Sequence, residues 1–304
     1  MPEVSVIMPA FNPGRLIDAA IESVVTQTFA DWELIVVDDG SNADLSGVLK
    51  IDRRVRYIRQ QNAGPASARN AGITESTGSL IAFLDADDLW MPGKLQVQVE
   101  QLAEYPDAAF CHTQFVIISE EGHSMKTGWS RPVESYFELL QSNCVLTSTV
   151  MVRRSCLDEV GLFDTEFRAA EDIDLFLRIS RQFPSVFIEQ VLTSHRWTPG
   201  GLSRSVYAHY CQYTAVLKKH LDWANSKGDV RAVDAAKTGL RSLRRGQVCT
   251  QLDLSRLHAA AHRPLKFIRC VVNAMRVEPG YVLSSIGPYL IERLNLRGPN
   301  SPRN

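Results

Sequence analysis

Five consecutive apolar residues, Leu80-Ile81-Ala82-Phe83-Leu84, stop at Asp85-Ala86-Asp87-Asp88, which puts three carboxylates within four positions. A run this short and apolar predicts a strand buried on both faces, and no core accepts the acids that end it. In an open α/β sheet, ligands bind beyond the carboxyl ends of the strands. Alternate side chains there point the same way, so Asp85 and Asp87 are expected to converge on one object. Paired acids attract a hard divalent cation, which keeps several waters and is completed by phosphate oxygens. Asp-rich turns also cap helices, and Asp88 stands where it could cap one beginning near Pro92 or Gly93.

The flanking chain supplies the rest of such a sheet. Val4 to Met8 reads as a strand, closed by Pro9 and the loop Ala10-Phe11-Asn12-Pro13-Gly14. Leu16, Ala20, Ile21, Val24 and Val25 recur at helical spacing, and Glu33 to Val37 forms a second strand that runs into Asp38-Asp39-Gly40-Ser41. Strand, helix and strand make a right-handed parallel unit, which brings Phe11, Asp39 and the Asp85 to Asp88 cluster to one edge. A helix is expected around 43–50, a strand at 55–58, and a small-residue helix over Ala66 to Gly72 that can pack closely on the sheet. Further on, the pattern predicts a helix from Pro92 to Glu104, strands over 108–118, 146–152 and 186–189, and a short helix over 132–140. Glu171-Asp172-Ile173-Asp174 opens a helix whose buried face is Ile173, Phe176, Leu177 and Ser180.

Length and composition bound the function. At 304 residues, with 45% hydrophobic and 22% charged residues, the chain has the make-up of a globular enzyme with a main domain and an appendage. Its net charge of -1 gives no reason to expect nucleic acid. The six cysteines contain no C-x-x-C pair, which argues against a zinc site or a disulfide framework and favours a reducing compartment. With no signal peptide legible at its start and no apolar run near the ~20 residues that span a bilayer, the expected location is cytoplasmic, free or peripheral on the cytoplasmic face of the inner membrane.

Taken in order, several of these segments form a recognisable set: Val4 to Asn12, Gln27-Thr28-Phe29, Trp32 to Ser41, Ala68-Arg69-Asn70-Ala71-Gly72, Asp85-Ala86-Asp87-Asp88, Gly161-Leu162-Phe163-Asp164 and Glu171 to Leu175. Over residues 1–204 the chain resembles the family 2 inverting glycosyltransferases of bacterial surface-polysaccharide type. The resemblance implies an α/β GT-A fold, a Rossmann-like, mostly parallel sheet flanked by helices. Residues 1–110 would be its nucleotide-sugar half and 111–204 its acceptor half, with a helical extension over 205–304. It also implies a nucleoside diphosphate sugar as donor, UDP-linked by default, a saccharide or lipid-linked acceptor, and Mn2+ or Mg2+ as cofactor. Pro9, Ala10 and Phe11 would line the nucleotide base, with Phe11 stacking and Asp39 bonding the ring. Asp85 would lie at the ribose and the metal, Asp87 at the metal, Ala86 between them, and Arg69 toward the diphosphate. Glu171 and Asp172 would be the acidic catalytic pair, with Asp172 as general base. Ser194-His195-Arg196-Trp197-Thr198 resembles the family's Tyr-Arg-x-His loop but has His195 for Tyr and Thr198 for His. Arg196 is expected to reach phosphate oxygens, and Trp197 is a candidate acceptor platform.

Two other classes compete with this reading. A nucleotidyltransferase would carry a Gly-rich, Arg-containing loop after the first strand, and Pro9 to Arg15 is not one. A nucleotide-sugar binder without activity is opposed by the intact Asp85, Asp87 and Asp172. The C-terminal third reads as helical. Between Arg231 and Val277 ten Lys or Arg face only Asp234 and Asp253, so this stretch is +8 and the remainder -9. In Leu265 to Val277 an apolar face of Leu265, Ile268, Val272 and Met275 adjoins a basic one of Lys266, Arg269 and Arg276, the pattern of a peripheral membrane contact.

Overall fold

The computed structural model describes residues 1–133, 135–197, 206–260, 264–280 and 282. The first half alternates strand and helix: β1 (Val4–Ala10), α1 (Leu16–Val25), β2 (Trp32–Asp38), β3 (Val55–Arg59), α2 (Pro65–Glu75), β4 (Leu80–Phe83), β5 (Leu89–Trp90) and α3 (Lys94–Glu104). The second half continues with β6 (Phe110–Ile118), β7 (Ser124–Thr127), α4 (Tyr136–Gln141), β8 (Val150–Arg153), α5 (Arg154–Val160), α6 (Glu171–Ser180) and β9 (Ser185–Arg196). Three helices follow: α7 (Val206–Lys227), α8 (Val230–Ala260) and α9 (Pro264–Val277).

Among the described residues the strands form one sheet in the order β3-β2-β1-β4-β8-β6-β9-β5, with β7 on β6. β3, β2, β1 and β4 are parallel; β2, β1 and β4 are largely apolar and buried on both faces, while β3 at the edge is covered mainly at Val55. Beyond β4 the sheet becomes mixed, because β8 runs antiparallel to both β4 and β6 while β9 is parallel to β6. Alternate residues of β1 feed two cores. Val4, Val6 and Met8 pack with Ile17, Ile21 and Val24 of α1 and Leu95 of α3. Ile7 faces Ala66, Ala68 and Ile73 of α2 on the other side. A Cβ on Gly72 would lie 2.6 Å from Ile7 Cγ2, so the small residues of α2 do bring it against the sheet.

Several elements differ from expectation. The helix expected around 43–50 is only a 3-10 turn, Ser46–Lys50. The strand expected over 146–152 begins at Val150, because Thr147–Thr149 form a buried 3-10 turn. The strand expected to end at Glu189 continues to Arg196, since irregular register opposite Thr113 to Phe115 loops out polar residues and pairing then resumes. α6 is buried well beyond its predicted stripe: Glu171, Asp174, Leu175 and Ile179 are also covered. The cause is α7. Wholly buried Asp174 lies 2.8 Å from Arg178 Nε, 2.8 Å from Lys219 Nζ and 3.3 Å from His220 Nε2. Burial alone would raise the Asp174 carboxyl, but His220, Lys219 and Arg178 outweigh it and hold it well below the ordinary range. The C-terminal helices are thereby keyed to the helix that opens with Glu171 and Asp172. α8 approaches α4 so closely that a Cβ on Gly239 would collide with the Leu140 carbonyl oxygen.

Candidate functional site

The Asp85 to Asp88 turn is pinned at both ends. On one side Leu84 N donates to Ile7 O, and Asp85 N donates to Ser148 Oγ at 3.1 Å. On the other, β5 pairs antiparallel with β9, Leu89 opposite Ser194 and Trp90 opposite Thr193. Within the turn, which Asp88 N closes on Asp85 O, Ala86 and Asp88 are buried, while Asp85 and Asp87 are half-buried. Asp88 does not cap α3, whose N-cap is Gly93 with no side-chain bond. Its carboxylate instead accepts Arg196 N at 2.8 Å and lies 3.0 Å from His195 Nδ1. Burial would lower the His195 imidazole, but Asp88, with help from Asp85 and Asp87, pushes it up to about 9, so it is protonated at neutral pH. Asp87 is pushed up to about 7, first by burial and then by the charges of Asp88 and Asp85. This is the electrostatic state of an acid group crowded by like charges.

Arg69 connects two motifs that lie far apart in sequence. From α2 its Nη2 donates to Asp85 Oδ1 at 2.7 Å and its Nη1 to Glu171 Oε1 at 2.6 Å. The side chain is 5% exposed, and its Nε has no hydrogen-bond partner among the described residues. Burial works against its charge, but Asp85, Glu171 and Asp172 outweigh it and hold the guanidinium more firmly protonated than usual. The following Asp172 is half-buried; its Oδ1 accepts Ile173 N at 2.8 Å and its Oδ2 accepts Thr147 Oγ1 at 2.7 Å. Buried Ala170, just before this pair, has φ +64°, a left-handed conformation that costs a residue with a Cβ.

The first two loops meet at the carboxyl ends of β1 and β2. Asp39 N donates to Ala10 O at 2.8 Å, Asn12 N to Ser41 Oγ at 2.9 Å, and Asn42 N to Asn12 Oδ1 at 2.9 Å. Phe11 is thereby left 55% exposed on the rim, while Ala10 is buried and Pro9 half-buried. Asp39 Oδ1 accepts Gln60 Nε2 and Ala63 N, and Oδ2 accepts Gly64 N. Asp39 thus shapes the loop that enters α2, and its Oδ2 keeps acceptor capacity.

Arg196 departs from expectation. Its Nε donates to Asp87 O and its Nη1 to the carbonyls of Ser119 and Glu120, with the side chain nearly buried. It braces the acidic turn from behind because the continuation of β9 carries it there; this arrangement does not present it to phosphate oxygens. Trp197 is exposed. Thr198 and the rest of that loop to Ser203 lie outside the described residues. Sequence reasoning missed Thr147 and Ser148, which bond Asp172 and the Asp85 amide. Trp129 is half-exposed and meets Phe115 edge-on at 4.9 Å, and Phe115 in turn meets His195 at 6.0 Å. The available signal was polarity: Thr147-Ser148-Thr149 interrupts an apolar run from Val145 to Val152.

Among the described residues no group of three or more His, Cys, Asp or Glu stands at metal-holding geometry. The donor set nonetheless fits a cation of the Mg2+ or Mn2+ kind, which takes one or two carboxylates and completes its shell from substrate phosphates and water. Asp87 and Asp85 are half-open acids in a cluster of repelling charges. A hollow of about 830 Å³ between α4 and the start of α8, lined by Ser135, Glu138, Arg231 and Asp234, shares no residue with this site.

Comparison with known proteins agrees with the architecture. The sequence model of glycosyl transferase family 2 matches residues 5–161. Three uncharacterised glycosyltransferases from Rickettsia species are 32 to 37% identical over 182 to 204 residues, and the chain spans only 26 to 33% of their length. The Escherichia coli protein WfgD, a UDP-Glc:alpha-D-GlcNAc-diphosphoundecaprenol beta-1,3-glucosyltransferase, is 34% identical over 58% of this chain and 69% of its own. In fold, the chain is similar to S. aureus TarS in complex with UDP-GlcNAc, with a TM-score of 0.64, 17% identity, and coverage of 93% of this chain and 83% of that one. It is also similar to the Pyrobaculum calidifontis mannosyltransferase PcManGT with GDP-Man and Mn2+, at a TM-score of 0.61, 17% identity, and coverage of 95% and 80%. The mixed sheet with flanking helices is thus the GT-A fold, extended by C-terminal helices, and the chain belongs to glycosyl transferase family 2.

Proposed function

We propose that this chain transfers a sugar from a nucleoside diphosphate sugar, UDP-linked in the first instance, to a hydroxyl of a saccharide or lipid-linked acceptor, with inversion and with Mn2+ or Mg2+. The observation that carries the reading is Arg69, which joins the acid that ends β4 to the acidic pair that opens α6. Donor-side and acceptor-side acids thereby share one cluster. Asp87 and Asp85 would hold the metal, which when bound supplies Lewis-acid stabilisation to the departing diphosphate. Phe11 and Asp39 would take the base, with Pro9 and Ala10 supplying the backbone wall and Ala86 giving the turn its close fit. Arg69 would hold Asp85 and Glu171 together beside the diphosphate, with Arg196 and His195 holding the turn behind it. Asp172 would accept the acceptor hydroxyl's proton as that oxygen attacks the far face of the anomeric carbon, and one base with direct displacement gives inversion.

Calorimetric titration with UDP, GDP and dTDP, each with manganese and with chelator, tests the donor site. One nucleotide is expected to bind with metal and at least tenfold more weakly without it, and Asp87→Ala is expected to abolish the metal effect. Equal affinity with and without manganese removes the metal from this reading.

The same proposal places the protein against the cytoplasmic face of the inner membrane. No helix among the described residues is long and apolar enough to cross a bilayer. On α9, however, Leu265, Ile268 and Val272 are 83%, 53% and 42% exposed, beside exposed Lys266, Arg269 and Arg276. WfgD, a relative, is named for an undecaprenol-linked acceptor. Basic residues near an anionic surface contribute about 1 kcal/mol each, so Arg269→Ala with Arg276→Ala should weaken binding to phosphatidylglycerol vesicles roughly 30-fold. Unchanged co-sedimentation would retire the contact.

A further inference from the structure

We infer that Thr147 is a positioning residue for the general base, and that the turn it opens sets the base and the acidic turn in register. The inference rests on the proposed role of Asp172. Thr147, Ser148 and Thr149 are all buried, although each carries a hydroxyl, and they sit between two apolar stretches where a plain strand would be expected. Each makes a contact toward the site or toward the core beneath it.

Thr147 Oγ1 donates to Asp172 Oδ2 at 2.7 Å. The neighbouring Ser148 Oγ accepts Asp85 N at 3.1 Å, and Ser148 O accepts the indole Nε1 of Trp90 at 2.8 Å. Thr149 closes the turn with Oγ1 and N on Leu146 O, and its own carbonyl accepts Gln98 Nε2 at 2.9 Å. Beneath the turn, wholly buried Lys94 bonds Gln98 Oε1 and lies 4.3 Å from the centre of the Trp90 ring. One short turn, braced from below at two carbonyls, therefore holds the backbone of the Asp85 turn with one side chain and the carboxylate of Asp172 with the next.

A half-exposed aspartate held only by its own helix amide retains rotamer freedom, and a base must stay within hydrogen-bond reach of the proton it takes. With Ile173 N on Oδ1 and Thr147 Oγ1 on Oδ2, the plane of the Asp172 carboxylate is fixed and each oxygen keeps a lone pair for the acceptor hydroxyl. The other titratable groups facing Asp172 are Arg69 from α2, Glu171 on its own helix and Tyr213 from α7. None of them is altered by substitution at Thr147.

The test uses the whole free protein with 13C-labelled aspartate carboxyls, and the Asp172 signal is assigned by its disappearance in Asp172→Asn. In Thr147→Val that signal should be displaced at constant neutral pH by loss of the hydrogen bond to Oδ2, and Thr147→Ser should restore its position. Thr147→Ala removes the hydroxyl without filling its space and carries the same test if valine disturbs the turn. An unchanged signal in Val and Ala overturns the inference. So does an equal displacement in Ser, which would trace the effect to packing instead of the hydroxyl. The base reading fails separately: Asp172→Asn would still transfer glucose from UDP-glucose to N-acetylglucosaminyl-diphosphoundecaprenol at the parent rate, whatever Thr147 does to the signal.

Discussion

Asp172→Asn should lose about a hundred- to ten-thousand-fold in transfer rate while binding nucleotide as the parent does. The amide is nearly isosteric: its oxygen can accept Ile173 N, while its NH2 stands where Oδ2 was and donates to Thr147 Oγ1. It cannot take a proton from an acceptor hydroxyl. Nucleotide affinity should hold because the proposed donor contacts lie on the loops after β1, β2 and β4, and Asp172 opens α6 on the other side of Arg69. Steady-state transfer and calorimetry on the same preparation separate the two effects. Full turnover by this variant would move the base elsewhere.

Arg69→Met is expected to cost about 3–5 kcal/mol of folding stability, read as the shift in a urea unfolding midpoint. The guanidinium is almost fully buried between Glu171, itself only 7% exposed, and Asp85, and it lies 5.4 Å from the centre of the Phe163 ring. Methionine matches the stem but leaves the Glu171 carboxylate buried without a cation, next to Asp172. Such a group either keeps its charge at high cost or takes up a proton. A second substitution, Glu171→Gln, should therefore recover part of the loss in the Arg69→Met background, although on its own it breaks an ion pair. Additive losses would mean that the two side chains do not act as the structure pairs them. Asp85 is the milder member, since it is 31% exposed and water can compensate it.

Legibility in the sequence followed how local the physics is. β1, β2 and β4 were readable because strands buried on both faces must be unbroken apolar runs, and α1 because its core face repeats at helical spacing. The full extent of β9 was not readable, because polar Glu189 and Gln190 look like an ending and only the partner strand reveals that pairing resumes beyond them. For α6, an expected single buried stripe became a helix covered on several sides, because α7 brings Lys219 and His220 onto Asp174 from 45 or more positions away.

The candidate site divides in the same way. Sequence alone determined which acids exist and that they stand together just past the end of a buried strand; the turn that follows β4 decided that Asp85 and Asp87 stay half-buried while Ala86 and Asp88 turn in. Tertiary structure alone decided what each acid meets: His195 and the Arg196 amide for Asp88, Arg69 for Asp85 and Glu171, and Thr147 for Asp172. The physical reason is range. Periodicity records which face a residue takes within one element, but an ion pair or hydrogen bond depends on separations of about 3 Å between elements. Those separations are set by how the sheet twists and how the helices pack on it, and no spacing along the chain encodes them.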